Sequence, residues 1–250
     1  MVIIDAVVVV VRASARQCPR SHWFVRTQTP LTTKHRRALA RTTTTTAMPE
    51  YKLVYFNGRG LGELVRWIFL HGDIPFTDER VEMSEWPEKK KVTPGGKLPL
   101  LYIDGKPLWQ SMAIGRFAAK LAGLTLDDTL DACYCDAFVE TAKDLLSEMY
   151  KIMLSEKSQE EKDKELREEY VVKTLTPVLE KVNKRLETKQ WLIGDKMTWA
   201  DFAISRSIDE VALHFSDVVS KYPNVSAHAE KIHQLPKIKE WRAKRPNSPF

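Results

Sequence analysis

The segment around Pro99 combines residue types that could bind a small acidic peptide. Residues 96–101 are Gly-Lys-Leu-Pro-Leu-Leu. Because proline cannot donate a hydrogen bond to a strand ladder, Pro99 belongs at the start of a strand, and its peptide bond is a candidate for the cis form. Leu98 is then held extended, so its N–H and C=O can pair with the backbone of an extended peptide.

A nearby helix start supplies a candidate anion site. Gln110 follows Pro99 by eleven residues, and Ser111 opens the helical pattern Ser111–Leu121. The unpaired N–H groups and the dipole of a helix N-terminus favour a carboxylate. A backbone edge, an anion pocket and the flanking cation of Lys97 together predict a binding site for a small acidic peptide.

These residues lie in a stretch where strand and helix patterns alternate. The predicted strands are Tyr51–Phe56, 76–81, Leu100–Ile103 and Lys106–Trp109. The predicted helices are Glu63–His71, a short helix with Ser84 as N-cap and Pro87 in its first turn, and Ser111–Leu121. The last two strands pair across Asp104-Gly105, a favoured hairpin turn. The resulting order is βαβαββα.

The second half of the sequence is helical in pattern. Long helices are predicted at 130–156, 160–187 and 199–215, with a short one at 236–245. Thr198 and Asp201, three residues apart, resemble a capping box at a helix start. We therefore predict an α/β domain at 48–124, a linker near 123–127, and an all-helical domain at 129–250.

Charge and composition exclude several classes of protein. The net charge of +6 is concentrated in residues 1–47, which hold eight basic residues and one acid and leave 31 basic and 32 acidic residues in 48–250. The remainder is near neutral, which gives no support for a nucleic-acid partner. No run of 18 apolar residues occurs, so no membrane span is expected. Three cysteines without zinc spacing favour reduced thiols in a reducing compartment.

The first 47 residues form a basic leader. They are rich in Arg, Ser and Thr and end in a five-threonine tract at 42–46. That composition is typical of an organelle transit peptide, although residues 7–11 are β-prone, and Met48 looks like a fresh start. The leader is a transit peptide, a spliced or mispredicted segment, or a functional tail. We favour the second interpretation and expect disorder in every case.

Several short motifs occur together over residues 48–250. They are Tyr51–Phe56, Trp86-Pro87-Glu88, Gly96-Lys97-Leu98-Pro99, Gln110-Ser111-Met112-Ala113-Ile114, and Trp191-Leu192-Ile193-Gly194 followed by Thr198-Trp199-Ala200-Asp201-Phe202. In this order and spacing the chain resembles the cytosolic glutathione S-transferases, and most closely their sigma class. The resemblance implies a thioredoxin-like domain followed by an all-helical domain, a homodimer, glutathione as co-substrate, and a cytoplasmic location, with organelle import through residues 1–47 left open.

The resemblance implies that Tyr55 is the catalytic residue. The thiolate of glutathione is the nucleophile, and a thiol pKa near ~8.5 leaves little thiolate at neutral pH. Lowering that pKa by ~2 units requires about 2.7 kcal/mol of anion stabilisation, which one well-placed hydroxyl can supply. The other interpretation is a structural tyrosine in the sheet. Tyr51, four residues earlier on the same strand face, is the competing candidate.

The family pattern also implies which residues hold glutathione. Leu98 pairs with the cysteinyl unit, Ser111 and Gln110 hold the γ-glutamyl carboxylate, and Asp144 reaches its ammonium group from the other subunit. Ser111 could instead be a plain N-cap, and Asp144 a solvated carboxylate. The residues implied for the glycyl end are Trp86, Lys90 and Lys97. Because Lys89 and Lys91 flank Lys90, the sequence leaves open which of these three lysines occupies the family position.

The implied electrophile pocket is lined by six residues, which could equally be core residues. They are Phe56, Leu61, Leu146, Tyr150, Ala203 and Ser207. The sequence departs from its relatives at Leu61, where sigma-class members commonly carry arginine. A metal-binding aspartate cluster of prostaglandin D synthases corresponds to Glu140, Lys143 and Asp144, and Lys143 predicts that no metal binds. Lys151 stands where prostaglandin D synthases carry an aromatic residue that lines the prostaglandin pocket.

Three functions remain open from the sequence. The first is conjugation of glutathione to small hydrophobic electrophiles, with reduction of lipid hydroperoxides as an accompanying activity. The second is glutathione-dependent prostaglandin D isomerisation, against which Lys143 and Lys151 argue. The third is a structural role without catalysis, against which the retention of Tyr55, Gln110 and Ser111 argues.

Overall fold

The described part of the chain begins at Met48. The computed structural model describes residues 48–246 and 248. The predicted leader, residues 1–47, lies outside the described residues, so its interpretation stays a prediction.

Four strands form one mixed sheet. They are β1 (Tyr51–Phe56), β2 (Thr77–Val81), β3 (Leu100–Ile103) and β4 (Lys106–Trp109), in the order β2-β1-β3-β4. β1 runs parallel to β2 and antiparallel to β3, and β3 and β4 are antiparallel. The parallel pair requires a crossover, which the first helix provides. This confirms the predicted order of strands and helices.

The two turns that flank β3 have the predicted character. Asp104 and Gly105 connect β3 to β4 with φ values of 48° and 77°, as the two central residues of a tight hairpin turn require. The Leu98–Pro99 peptide bond before β3 is cis. β3 starts at Leu100, directly after Pro99, as the sequence predicted.

The helices follow the two predicted parts. Those associated with the sheet are α1 (Glu63–His71), α2 (Trp86–Val92) and α3 (Ser111–Leu121). The later ones are α4 (Thr129–Met153), α5 (Gln159–Glu165), α6 (Thr176–Leu186), α7 (Trp199–Val219), α8 (Pro223–His233) and α9 (Pro236–Lys244). The fold is a thioredoxin-like α/β domain followed by an all-helical domain.

The helices differ from the predictions in three details. The residue before α2 is Glu85, with no side-chain cap, so Ser84 is not the N-cap. The predicted helix at 160–187 consists of α5 and α6 joined by a π-helical segment, Leu166–Leu175. The helix α8 had not been predicted.

The helix α7 lies at the centre of the molecule. It packs against α1 and α3 of the first domain and against α4 and α8 of the second. Every residue from Trp199 to Ile208 is buried. The predicted capping box is present, with Thr198 and Asp201 bonding reciprocally at the helix start. None of the helices within residues 48–246 combines the length and the hydropathy that a membrane-spanning segment requires.

Asp201 fixes the start of α7 and ties it to two other parts of the helical domain. Its fully buried carboxylate accepts hydrogen bonds from the backbone N–H of Leu192 at 2.9 Å and of Thr198 at 2.7 Å. His228 of α8 contacts the same carboxylate through Nε2 at 2.8 Å. Removing this acceptor would leave several buried polar groups without a partner.

We predict that Asp201→Ala lowers the free energy of unfolding by about 3 kcal/mol or more, because each buried donor left unpaired costs about 1–3 kcal/mol. Denaturant unfolding followed by circular dichroism measures it. The matched control is Asp217→Ala on the same helix, where an exposed carboxylate pairs with Arg167 and little change is expected. Equal effects of the two variants would contradict the buried role.

Candidate active site

The alternation of β1 places Tyr55 on the inner face of the sheet. Tyr51, Leu53 and Tyr55 are buried on this face, and Tyr55 is only 9% exposed. The ring of Tyr51 packs against Phe69 at 5.6 Å and Phe117 at 6.1 Å between centroids. Tyr51 is therefore a core residue, and Tyr55 is the tyrosine at the strand end.

A glycine-containing turn encloses the Tyr55 hydroxyl. The backbone N–H of Leu61 donates a hydrogen bond to the Tyr55 Oη at 2.9 Å. A Cβ on Gly60 would lie 2.3 Å from this oxygen, and one on Gly62 would lie 2.7 Å from the ring. Gly60 also has φ of 36°, which a side chain disfavours. Glycine at both positions lets the backbone approach the phenol closely.

The surroundings of Tyr55 keep its phenol protonated. Burial raises the pKa of Tyr55, and the Leu61 N–H, Arg206 and Arg66 oppose that rise without cancelling it. A neutral phenol that accepts one hydrogen bond still has its own O–H to donate. Tyr55 is thus suited to donate a hydrogen bond to an anion and unsuited to act as a base at neutral pH.

The backbone at Leu98 has no partner in the sheet, and its predicted pairing with a peptide stays a prediction. The Leu98 backbone makes no hydrogen bond with another backbone group within residues 48–246. Its partly buried side chain packs on Val54, Val81 and Leu100, a small cluster on the outer face of the sheet. This packing fixes the segment, while its N–H and C=O have no backbone partner in the part of the chain that the structure describes.

The start of α3 has an unusual backbone. Gln110 has φ of 73° and ψ of 114°, a conformation that costs energy in residues other than glycine and is found mostly at functional sites. Gln110 occupies the N-cap position without a side-chain cap, and Ser111, 9% exposed, is the first helical residue. Ser111 is therefore not a plain N-cap. The first N–H groups of α3 remain available to an anion.

The three residues predicted for the glycyl end lie on and after α2. Trp86 packs edge-on against Phe56 at 5.3 Å. The side chain of Lys90 runs past Gly96, the neighbour of exposed Lys97, since a Cβ on Gly96 would lie 3.9 Å from Lys90 Cγ.

The ion pairs of α2 bear on which lysine is available. Lys89 Nζ lies 3.4 Å from Glu85 and 3.6 Å from Glu79, and Lys91 Nζ lies 2.7 Å from Glu88. Within residues 48–246 no ion pair involves Lys90. Its exposed ammonium group is thus available, which favours the predicted register.

The structure brings four of the six predicted pocket residues together. Leu61, Leu146, Ala203 and Ser207 line one narrow cavity of about 20 Å³. Phe56 lines a second cavity of about 90 Å³, which also contains Tyr55. Tyr150 lines neither cavity, and the Ser207 hydroxyl donates to the Ala142 carbonyl at 3.1 Å.

The sequence analysis missed a buried charge cluster beside Tyr55. Arg59 donates to both carboxylate oxygens of Glu210, at 2.9 and 3.2 Å. Arg206 lies 3.9 Å from the same carboxylate and donates to the Gly60 carbonyl. All three charged residues are at most 8% exposed. The available signal was a basic and an acidic residue four apart on α7, a spacing that places them on one face of a helix.

Asp144 and its neighbours lie on α4. The Asp144 side chain is 69% exposed, and Lys143 Nζ lies 3.9 Å from it. Lys143 also forms an ion pair with Glu140, three residues earlier. Lys151, the other departure from the relatives, is 77% exposed and lies 3.8 Å from Glu148. The ammonium group of Lys143 thus occupies the space between the two carboxylates, and the prediction that no metal binds there stays a prediction.

Comparison with known proteins covers both domains. Residues 51–120 match the glutathione S-transferase N-terminal domain, and residues 143–245 match the glutathione S-transferase C-terminal domain. Hematopoietic prostaglandin D synthase of Homo sapiens is 33% identical over 201 residues, which cover 80% of this chain and 99% of that protein. Glutathione S-transferase 1 of Ascaris suum is 35% identical over 207 residues, covering 81% and 100%.

A solved structure agrees with these matches. Prostaglandin synthase D of Nilaparvata lugens is similar with a TM-score of 0.73 and 35% identity, covering 80% of this chain and 100% of that chain. The sequence identities, the domain matches and the fold all indicate the same family. The chain is a glutathione transferase and belongs to the glutathione S-transferase family, which uses glutathione as co-substrate.

Proposed function

We propose that this enzyme joins glutathione to small hydrophobic electrophiles, and that Tyr55 is its catalytic residue. The observation that carries the proposal is the geometry of the phenol. Its oxygen accepts the Leu61 N–H at 2.9 Å in a buried position, and its pKa is raised by that burial. Its O–H therefore donates to the sulfur of bound glutathione and stabilises the thiolate relative to the thiol.

The rest of the site holds the tripeptide in place. Leu98 pairs with the cysteinyl backbone, and the start of α3 at Ser111, assisted by Gln110, takes the γ-glutamyl carboxylate. Lys90 and Lys97 supply cations for the glycyl carboxylate beside Trp86. In support, the backbone of Leu98 is unpaired within residues 48–246, and Ser111 is the first helical residue.

The remaining assignments belong to the same proposal. The electrophile lies against Leu61, Leu146, Ala203 and Ser207, with Phe56 and Tyr150 at the edges. The same thiolate reduces lipid hydroperoxides as a second activity. We place the enzyme in the sigma class, as a cytoplasmic detoxification enzyme without a metal, with domains at 48–124 and 129–250.

Tyr55→Phe tests the catalytic role. We expect kcat for conjugation to fall about twenty-fivefold at pH 7, because losing the hydroxyl raises the thiol pKa by ~2 units, back to about 8.5, and the thiolate fraction falls from about three quarters to a few per cent. Glutathione affinity should change little, since the residues that hold the peptide remain. Steady-state kinetics and the ultraviolet absorbance of the bound thiolate measure both effects.

The matched control is Tyr51→Phe, the same change on the same strand face. Tyr51 packs in the core, so its variant should keep the activity of the parent enzyme. Unchanged turnover in folded Tyr55→Phe would remove this residue from the mechanism.

We also propose a homodimer in which Asp144 completes the partner's glutathione site. In support, the Asp144 carboxylate is 69% exposed on α4 and so is accessible to a second copy. Asp144→Asn should raise the KM for glutathione about tenfold with kcat little changed, since one charge-assisted hydrogen bond of about 1.5–3 kcal/mol is weakened.

A control variant and a mass measurement check the dimer proposal. The control variant is Glu148→Gln, an exposed residue one turn further along α4 that should leave KM unaltered. Sedimentation equilibrium should give the mass of two chains. A monomer with an intact glutathione site would contradict the proposal.

Prostaglandin D isomerisation is the second candidate, because relatives of 33–35% identity carry that name. The exposed cation of Lys151 and the Lys143–Glu140 pair argue against it. Incubating the enzyme with the prostaglandin endoperoxide and glutathione should give no prostaglandin D above the rate without enzyme. Enzyme-dependent formation of prostaglandin D would favour the second candidate.

A further inference from the structure

The buried cluster beside Tyr55 contains more positive than negative charge. Arg59 and Arg206 share one carboxylate, Glu210. Arg59 donates two short hydrogen bonds to Glu210, whereas the nearest nitrogen of Arg206 is 3.9 Å from that carboxylate. A buried guanidinium group that is only partly offset is costly, so its position calls for an explanation beyond packing.

Arg206 and Tyr55 contact opposite ends of one peptide group. The Nη2 of Arg206 donates to the carbonyl oxygen of Gly60. The N–H of Leu61, in the same peptide unit, donates to the Tyr55 Oη at 2.9 Å. A continuous chain of hydrogen bonds therefore runs from the guanidinium group, through the Gly60–Leu61 peptide, to the phenol.

Hydrogen bonds in such a chain strengthen one another. A cation on a carbonyl oxygen polarises the peptide and makes its N–H a better donor, and a phenol that accepts a stronger hydrogen bond becomes a better donor itself. We propose that Arg206 is a positioning residue that strengthens the hydrogen bond from Tyr55 to the glutathione sulfur through the Gly60–Leu61 peptide. This inference rests on the proposed role of Tyr55.

The neighbouring charges do not substitute for Arg206. Arg66 pairs with Glu63 at 3.2 Å and with Asp78 at 3.0 Å, and its hydrogen bond to the main chain goes to the carbonyl of Gly58, which is outside the Gly60–Leu61 peptide. Lys143 pairs with Glu140. Of the cations near Tyr55, Arg206 opposes the rise in the pKa of Tyr55 more than Arg66 does.

One more titratable group faces the cluster. Tyr150 lies beside Arg206 and Glu210, and burial raises its pKa, so it stays neutral at the pH of the experiment. The guanidinium group of Arg206 is therefore the charge that acts on this peptide.

The test compares Arg206→Gln with the parent enzyme. Glutamine removes the charge and leaves Glu210 paired with Arg59. We expect the pKa of the bound glutathione thiol, followed by ultraviolet absorbance, to rise by about one unit, which is about a tenfold loss of thiolate below that pKa. The kcat should fall about tenfold at pH values well below the thiol pKa of the parent enzyme and about threefold at pH 7, and it should recover at alkaline pH. The affinity for glutathione should stay unchanged.

Two further variants sharpen the comparison. Arg206→Lys keeps the charge but lacks the planar guanidinium group. The rise in the pKa of the bound thiol should therefore be smaller than in Arg206→Gln, and most of the kcat should be retained. Arg167→Gln, at an exposed arginine that pairs with Asp217, is the control and should behave as the parent does. If Arg206→Gln does not fold, the thiol pKa of Arg206→Lys decides the question.

The outcomes separate the inference from the function on which it rests. One result is that the parent enzyme forms the thiolate and the folded Arg206→Gln variant shows the same thiol pKa. That result would overturn the role of Arg206 and leave the role of Tyr55 intact. If the parent enzyme itself forms no thiolate with bound glutathione, the proposed role of Tyr55 fails.

Discussion

The hydrogen bond from the Leu61 N–H to the Tyr55 oxygen is the constraint on which the site depends. It fixes the phenol at the end of β1, and it requires a backbone turn so close to the ring that no Cβ fits at Gly60 or Gly62. The same bond uses the oxygen as an acceptor and leaves the O–H to donate. Burial then keeps the proton on the phenol, since the pKa of Tyr55 is raised. A local turn therefore sets both the position of the group and the kind of chemistry it can perform.

The helical domain contributes to this site through α7. Its first turn is fixed by the buried Asp201, and its middle carries Arg206 and Glu210 to the turn around Tyr55. α7 also packs against α1 and α3, so the two domains share one hydrophobic core. Because a packed core deforms little, a shift of α7 would move the charges that contact the Gly60 carbonyl. The α/β domain supplies the phenol, and the helical domain determines the field around it.

Much of the fold followed from local sequence signals. The β1 pattern, the proline before β3 and the Asp104-Gly105 turn each act over a few residues, and each prediction was confirmed. The helix α8 was missed because its sequence is largely polar, and its buried apolar residues, Val225, Ala229 and Ile232, are covered by packing on α7 and α6. The π-helical segment was missed because the five-residue spacing from Tyr170 to Leu175 fits no α-helical stripe, although i→i+5 bonding accommodates it.

The residues of the site also fall into two groups, those that local motifs predict and those that depend on contacts between distant parts of the chain. Tyr55 and Ser111 occupy positions that their own strand and helix define, so motifs could nominate them. Arg59 and Glu210 are 151 residues apart in sequence, and the partner of Arg206 is a main-chain carbonyl with no signature of its own. Leu61 illustrates why this matters, because it contributes its backbone N–H to the phenol whatever its side chain. A cation carried by a capped, buried helix is held more rigidly than one on the turn itself. The chain thus separates a hydrogen-bond donor on a turn from the charge, on a helix, that polarises it.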